Sequence, residues 1–188
     1  VLERAIQDRL RKKGVRVEVG AALESPSKDR WVINTLRREA VIHENALGLN
    51  MEDGFLFTDA HLKTSAKGVF AAGDVTGKGH LAHVASAQGL YVVDQLMGHS
   101  KPFDPGLYPK NLYLDLEVAQ IGQTEPELKA QNIPYKVTRH SLHANAKAWV
   151  EGSPEGFLRV LSNPVMGDVL GVQIMGLHAT DMISEAAA

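Results

Sequence analysis

The residues of this chain whose types and spacing suit chemistry gather around Gly73-Asp74. The string Lys67-Gly68-Val69-Phe70-Ala71-Ala72-Gly73-Asp74 is a short apolar run ending in Gly-Asp, followed by the glycine-rich Gly77-Lys78-Gly79 and an apolar helical pattern opening at Leu81. An apolar run of that length fits a parallel strand buried on both faces, and ligands of such sheets collect beyond the strands' carboxyl ends. Asp74 falls at that edge. A carboxylate there accepts hydrogen bonds from sugar-like hydroxyls, and Gly73 lets a ligand come close to the backbone. A solvated turn aspartate after a core strand accounts for the same residues. The helix start at Leu81, Ala82 and His83 adds backbone N–H groups and the positive end of a helix dipole for anything electron-rich beside Asp74.

Other patterns carry less. Gly77-Lys78-Gly79-His80-Leu81-Ala82 satisfies the dinucleotide fingerprint Gly-x-Gly-x-x-Ala, but that motif needs a second strand ending in an acidic residue about 20 positions on. Here the helical pattern continues through Asp94 to Gly98, so the match is a decoy. His80 and His83, like His140 and His143, are spaced three apart, which on a helix puts two imidazoles on one face. His140 and His143 fall in or after a strand pattern, where that spacing points them to opposite faces, and no third ligand presents itself, so no metal is expected. Ser, His and Asp are present without a nucleophile-elbow sequence. Trp149 near Gly152 reads as packing. The absence of cysteine removes disulfides, thiolate catalysis and cysteine-ligated zinc from this sequence together.

The elements that must position these residues follow from periodicity. Leu2, Ala5, Ile6 and Leu10 share a helical face ending at Gly14, and Val15, Val17 and Val19 then alternate as a strand, an opening of α/β type. A polar stretch with Ser25-Pro26-Ser27 places a boundary near Asp29. Strands are expected over 54–58 and 68–72 and a helix over 81–97, where Leu81, Val84, Ala85, Gln88, Val92 and Leu96 keep a helical period. After the turn-rich Pro102-Phe103-Asp104-Pro105-Gly106, strands are expected over 111–121, 135–141, 157–161 and 169–175. Helices are expected over 124–132 and from about Thr180. Thr124-Glu125-Pro126-Glu127 is a good helix opening. The Leu112, Leu114, Leu116 alternation reads as a half-buried strand or as a subunit interface. The fold class is thus α/β followed by α+β, an antiparallel sheet with helices.

Composition bounds the partners. The 188 residues are 44% hydrophobic, enough for real cores, and a net charge of −2 gives no electrostatic case for nucleic acid or an anionic membrane. No apolar run approaches the roughly 20 residues needed to span a bilayer. The opening Val-Leu-Glu-Arg is neither a signal peptide nor an initiator methionine, and the expectation is a cytoplasmic fragment.

The chain resembles the pyridine nucleotide-disulfide oxidoreductases, and most closely their dihydrolipoamide dehydrogenase branch. The resemblance rests on Thr64 with Gly68 through Asp74, on Leu81-Ala82-His83 with Gln88-Gly89, and on Glu117-Val118-Ala119 with Ile121-Gly122 and Thr124-Glu125. Leu170-Gly171 and Met182-Ile183 with Glu185-Ala186-Ala187 complete it. It implies FAD as cofactor, with Gly73 and Asp74 at its ribityl chain and the backbone of Leu81, Ala82 and His83 near the flavin, whose negative N1–O2 edge suits a helix N-terminus. It implies residues 1–30 as the tail of an NAD(P) domain, 31–105 as a second FAD segment and 106–188 as a domain forming a homodimer. The implied parent enzyme moves hydride equivalents between a nicotinamide, the flavin and a disulfide such as lipoamide, with a multienzyme complex as a setting for it.

The departures matter equally. The family's redox cysteine pair and its first FAD glycine motif belong to an N-terminal half, and its His-Glu acid/base pair lies beyond the position of Ala188; none is in this sequence. No catalytic residue is therefore assigned. The 22–31 link is shorter than the family's, and Leu36-Arg37-Arg38 stands where a Gly-Arg step is expected. A non-catalytic dimerisation module and a flavin transhydrogenase relative are the alternative readings.

Overall fold

The computed structural model describes residues 2–19, 39–42, 45, 47–98 and 101–188. These form two compact units, Val1–Glu39 and Ala40–Ala188. The boundary near Asp29, the 22–31 link and Leu36-Arg37-Arg38 lie outside the described residues.

In the first unit, α1 (Leu2–Lys12) carries Glu3 in its first turn and Arg9, Arg11 and Lys12 in its last, matching the helix dipole. Its end is closed by Gly14 N–H to Arg11 O at 2.9 Å and Val15 N–H to Leu10 O at 3.0 Å, the paired bonds of a Schellman stop. The strand expected over 15–19 is not formed: Val15 and Val19 are 44% and 70% exposed, and no ladder joins this segment to any described residue. Alternation fixes which way side chains face, but a strand exists only once a neighbour satisfies its backbone.

The second unit opens with a two-residue hairpin, β1 (Met51–Glu52) antiparallel to β2 (Phe55–Leu56), shorter than the strand expected over 54–58. The strand expected over 68–72 is replaced by one antiparallel bridge, Lys63 to Phe70, flanked by Thr64 N–H to Val69 O at 2.9 Å and Ala71 N–H to Leu62 O at 3.1 Å. The 62–64 segment is the one described partner of this run, so the buried parallel-strand reading does not hold for the described residues. The helix α2 (Ala82–Leu96) forms as its period dictates. Its inner face packs Val84 with Leu62 and Phe103, supported by Leu81, Ala87, Tyr91, Val92 and Tyr108.

The rest is an antiparallel sheet of five strands in the order β3-β4-β7-β6-β5. Its strands are β3 (Lys110–Leu112), β4 (Glu117–Gly122), β5 (Lys136–Ser141), β6 (Phe157–Ser162) and β7 (Val169–Gly176). The run 111–121 is therefore no single strand; it folds back on itself, pairing Lys110 with Gln120 and Leu112 with Val118. Leu112 and Leu114 are 51% and 41% exposed and only Leu116 is buried, so the alternation does not mark a half-buried strand. Helix α3 (Glu125–Ala130) begins at a full capping box, Thr124 with Glu127. A short α4 (Ala146–Val150) joins β5 to β6, with Trp149 58% exposed and its ring edge-on to His143 at 5.7 Å; its indole N–H donates to His143 O at 2.8 Å. Helix α5 (Ala179–Ala187) lays Ala179 and Ile183 on Ala119, Ile121, Val172 and Ile174, the core on one face of the sheet.

Candidate functional site

Gly73 has φ 84° and ψ −161°, a region open essentially to glycine alone. Its carbonyl accepts from Thr76 N–H at 3.0 Å and from Thr76 Oγ1–H at 2.9 Å, winding Asp74–Thr76 into one 3-10 turn. Gly77 closes that turn in the left-handed conformation, φ 66°, with its N–H on Asp74 O at 3.1 Å. A Cβ on Gly77 would lie 2.7 Å from the Phe55 ring, so the turn rests directly on β2. Asp74 thus begins a tight turn rather than ending a strand, and it is exposed.

The turn is seated against the start of α2. A Cβ built on Gly73 would touch Ala85 Cβ at 3.6 Å. Leu81, the residue before the helix, is extended and supplies no capping side chain, so the first-turn N–H groups have no acceptor from that residue. Ala82 and His83 are exposed there. The imidazole of His83 turns away to Pro109 O, 2.7 Å from Nε2; a carbonyl only accepts, so Nε2 carries the proton. His83 therefore offers this edge only its backbone. The site residues expected from sequence, Gly73, Asp74, Leu81, Ala82 and His83, lie along one turn and one helix start.

Gln88 holds the two together; the sequence places it in the helical period and, with Gly89, in the family resemblance, without assigning it a role of its own. Its side chain is fully buried; Oε1 accepts from Gly73 N–H at 2.6 Å and Nε2 donates to Lys78 O at 3.2 Å. A glutamine in the apolar row of α2 was the available signal, because a buried amide must find both a donor and an acceptor.

In the 59–63 loop, Asp59 Oδ1 accepts from His61 N–H at 2.8 Å and Lys63 N–H at 2.9 Å. Burial works to raise the Asp59 carboxyl, but the Lys63 and His61 N–H groups and the nearby charges hold it below the ordinary carboxylate value. Lys78 Nζ donates to Thr58 O and Asp59 O, each at 2.7 Å. Burial pulls the Lys78 ammonium below its ordinary value, against the opposing charges of Asp59 and Glu52. Clefts of about 360 and 530 Å³ lie elsewhere, one beside Asn145 and His178, the other beside Gln123 and Gly171; neither is lined by Asp74 or the start of α2.

The chain belongs to the pyridine nucleotide-disulphide oxidoreductase family: the family pattern matches residues 1–89, and that of the family's dimerisation domain matches residues 108–188. It is 39% identical over 136 residues to the dihydrolipoyl dehydrogenase of Bacillus subtilis, covering 72% of this chain and 29% of that protein. It is 37% identical over 134 residues to the dihydrolipoyl dehydrogenase of Chlamydia trachomatis, covering 71% and 29%. Among solved structures, LpdA of Mycobacterium tuberculosis superposes with a TM-score of 0.68 at 26% identity, over 74% of this chain and 31% of that one. The matched region is thus under a third of the length of these relatives.

Proposed function

We propose that this chain is part of an FAD-dependent NAD(P) oxidoreductase acting on a disulfide or dithiol such as dihydrolipoamide, and that its 73–83 segment holds the flavin. The observation that carries the reading is the exposed Asp74 turn seated on the first turn of α2, where no capping side chain comes from Leu81. The residues fit the group. The Asp74 carboxylate accepts from a polyol hydroxyl, Gly73 presents no side chain to block its approach, and the Ala82 and His83 end of α2 favours an electron-rich ring edge. FAD, when bound, supplies the hydride-accepting ring. The residues of this chain bind and orient it; dithiol exchange needs a thiolate, and this sequence has no cysteine.

In this reading residues 1–30 end an NAD(P)-binding domain, 31–105 form the second FAD segment and 106–188 form the interface of a cytoplasmic homodimer, in which the parent can serve a multienzyme complex. The exposed Leu112, Tyr113 and Leu114 at the β3–β4 hairpin support the interface assignment. They equally favour a second reading, a dimerisation module without cofactor.

The test is the visible spectrum of the protein after incubation with FAD and removal of unbound ligand. A retained flavin band is expected, and Asp74→Ala should lose a charge-assisted hydrogen bond of about 1.5–3 kcal/mol, weakening FAD roughly 10- to 100-fold. Equal retention by wild type and variant would sink the assignment of Asp74.

A further inference from the structure

Lys78 is bonded to three pieces of structure around the proposed flavin edge: the backbone at 58–59, the Asp74 turn and α2. Its ammonium donates to the carbonyls of Thr58 and Asp59 at 2.7 Å each, tying it to the loop that continues into the Lys63–Phe70 bridge. Its N–H donates to Thr76 Oγ1 at 3.2 Å, the hydroxyl that also closes the Asp74 turn on Gly73 O. Its carbonyl accepts from Gln88 Nε2 at 3.2 Å, and the other end of that amide holds Gly73 N–H. One residue thus joins the 58–63 loop, the 73–77 turn and α2.

The chemistry of these contacts is unusual for a lysine. Surface lysines meet water or carboxylates, whereas this ammonium has traded part of its hydration for two main-chain carbonyls, and burial lowers its pKa accordingly. The two carbonyl dipoles hold the ammonium in place, with the carboxylates of Asp59 and Glu52 as its nearby opposite charges. The neighbouring Gly77 and Gly79 both have positive φ, at 66° and 121°, and carry no side chain of their own to add to this bracing.

We propose that Lys78 is a positioning residue for the flavin site, fixing the Asp74 carboxylate relative to the start of α2 through its ammonium clamp on Thr58 and Asp59. The proposal rests on the FAD reading of the same turn. It is tested in the full-length gene product with three variants, Lys78→Met, Lys78→Arg and Asp74→Ala, by flavin-fluorescence titration with FAD, visible circular dichroism of the bound flavin, amide hydrogen exchange over 73–79 and thermal melting.

Lys78→Met, which keeps the stem and loses charge and donors, should weaken FAD about tenfold, change the flavin dichroism and speed exchange at Gly73 and Thr76. Lys78→Arg should recover most of each. Asp74→Ala should weaken FAD while leaving exchange at Gly73 and Thr76 unchanged. If Lys78→Met lowered only the melting temperature, with affinity and dichroism as in wild type, Lys78 would be a structural staple and the proposal would fail. If Asp74→Ala bound FAD like wild type, the flavin reading would fall, and faster exchange in Lys78→Met would still establish the clamp.

Discussion

Arg159 is a buried cation held by a network of polar side chains. Buried in the middle of β6, it donates to Gln173 Oε1 at 2.7 Å and to Glu125 Oε2, while Gln173 Nε2 reaches Gln120 Oε1 at 3.0 Å and Tyr135 OH reaches Glu125 Oε1 at 3.2 Å. A charge placed so deep is tolerated only because each partner is bonded in turn. Hydrogen bonding by Arg159 holds the Glu125 carboxyl below its ordinary value in spite of burial. Arg159→Ala should cost about 3 kcal/mol, since it strands Glu125 and Gln173 without a cation. Urea unfolding will check this, and a loss below about 1 kcal/mol would mean that water replaces the guanidinium. Residue-level chemistry of this kind was only partly legible in sequence. Gly73 and Asp74 stand out as site candidates by type and order, whereas Arg159 and Gln88 look like ordinary polar residues until the ladder and the helix face are known.

Among the elements, legibility followed how local the determining physics is. The opening of α3 is written in four consecutive residues: Thr124 N–H reaches Glu127 Oε2 at 2.7 Å and Glu127 N–H reaches Thr124 Oγ1 at 3.4 Å, the reciprocal pair of a capping box. Thr124→Ala should destabilise by about 1 kcal/mol, read as a lower urea midpoint at unchanged m-value. Strands β5, β6 and β7 fall within a residue or so of the positions expected, because turn residues bound them: Pro134 before β5, Gly156 and Asn163-Pro164 around β6, and Gly167-Asp168 before β7. The 111–121 run was misread because Leu112, Leu114 and Leu116 keep a strand's period straight through a reversal, with no glycine or proline inside to signal it. Likewise 15–19 and 68–72 carry strand patterns whose realisation depends on partners outside the segment.

For the molecule as a whole, pH sensitivity is the expected signature. Hydrogen bonds from Thr180, Arg159 and Thr124 depress the carboxyls of Glu117, Glu125 and Glu127 below the ordinary glutamate value of 4.5. A depressed carboxylate binds fewer protons folded than unfolded, so its contribution is complete above that value and is lost as pH falls through the folded one. Stability of the sheet should be flat from pH 6 to 8 on this account and decline below about pH 4.5. Glu117→Gln should flatten part of that decline in urea titrations at pH 3 to 6; an unchanged slope would remove Glu117 from the cause. No helix among the described residues is long and apolar enough to cross a membrane.

Glu117 also bears on the order in which this chain assembles. Helix α5 does not cap itself: His178 before it gives no side-chain bond, and Thr180 N–H and Oγ1–H, at 2.9 and 2.6 Å, both end on Glu117 Oε2 at the start of β4, a separation of 63 positions. Short helices nucleate poorly alone, and closing so long a loop precedes any gain from it. The first turn of α5 is therefore expected to consolidate only after β4 and β7 have paired. In stopped-flow kinetics, Glu117→Ala should speed unfolding while leaving the refolding rate nearly unchanged, which makes this contact a determinant of how long the folded molecule lasts rather than how fast it forms.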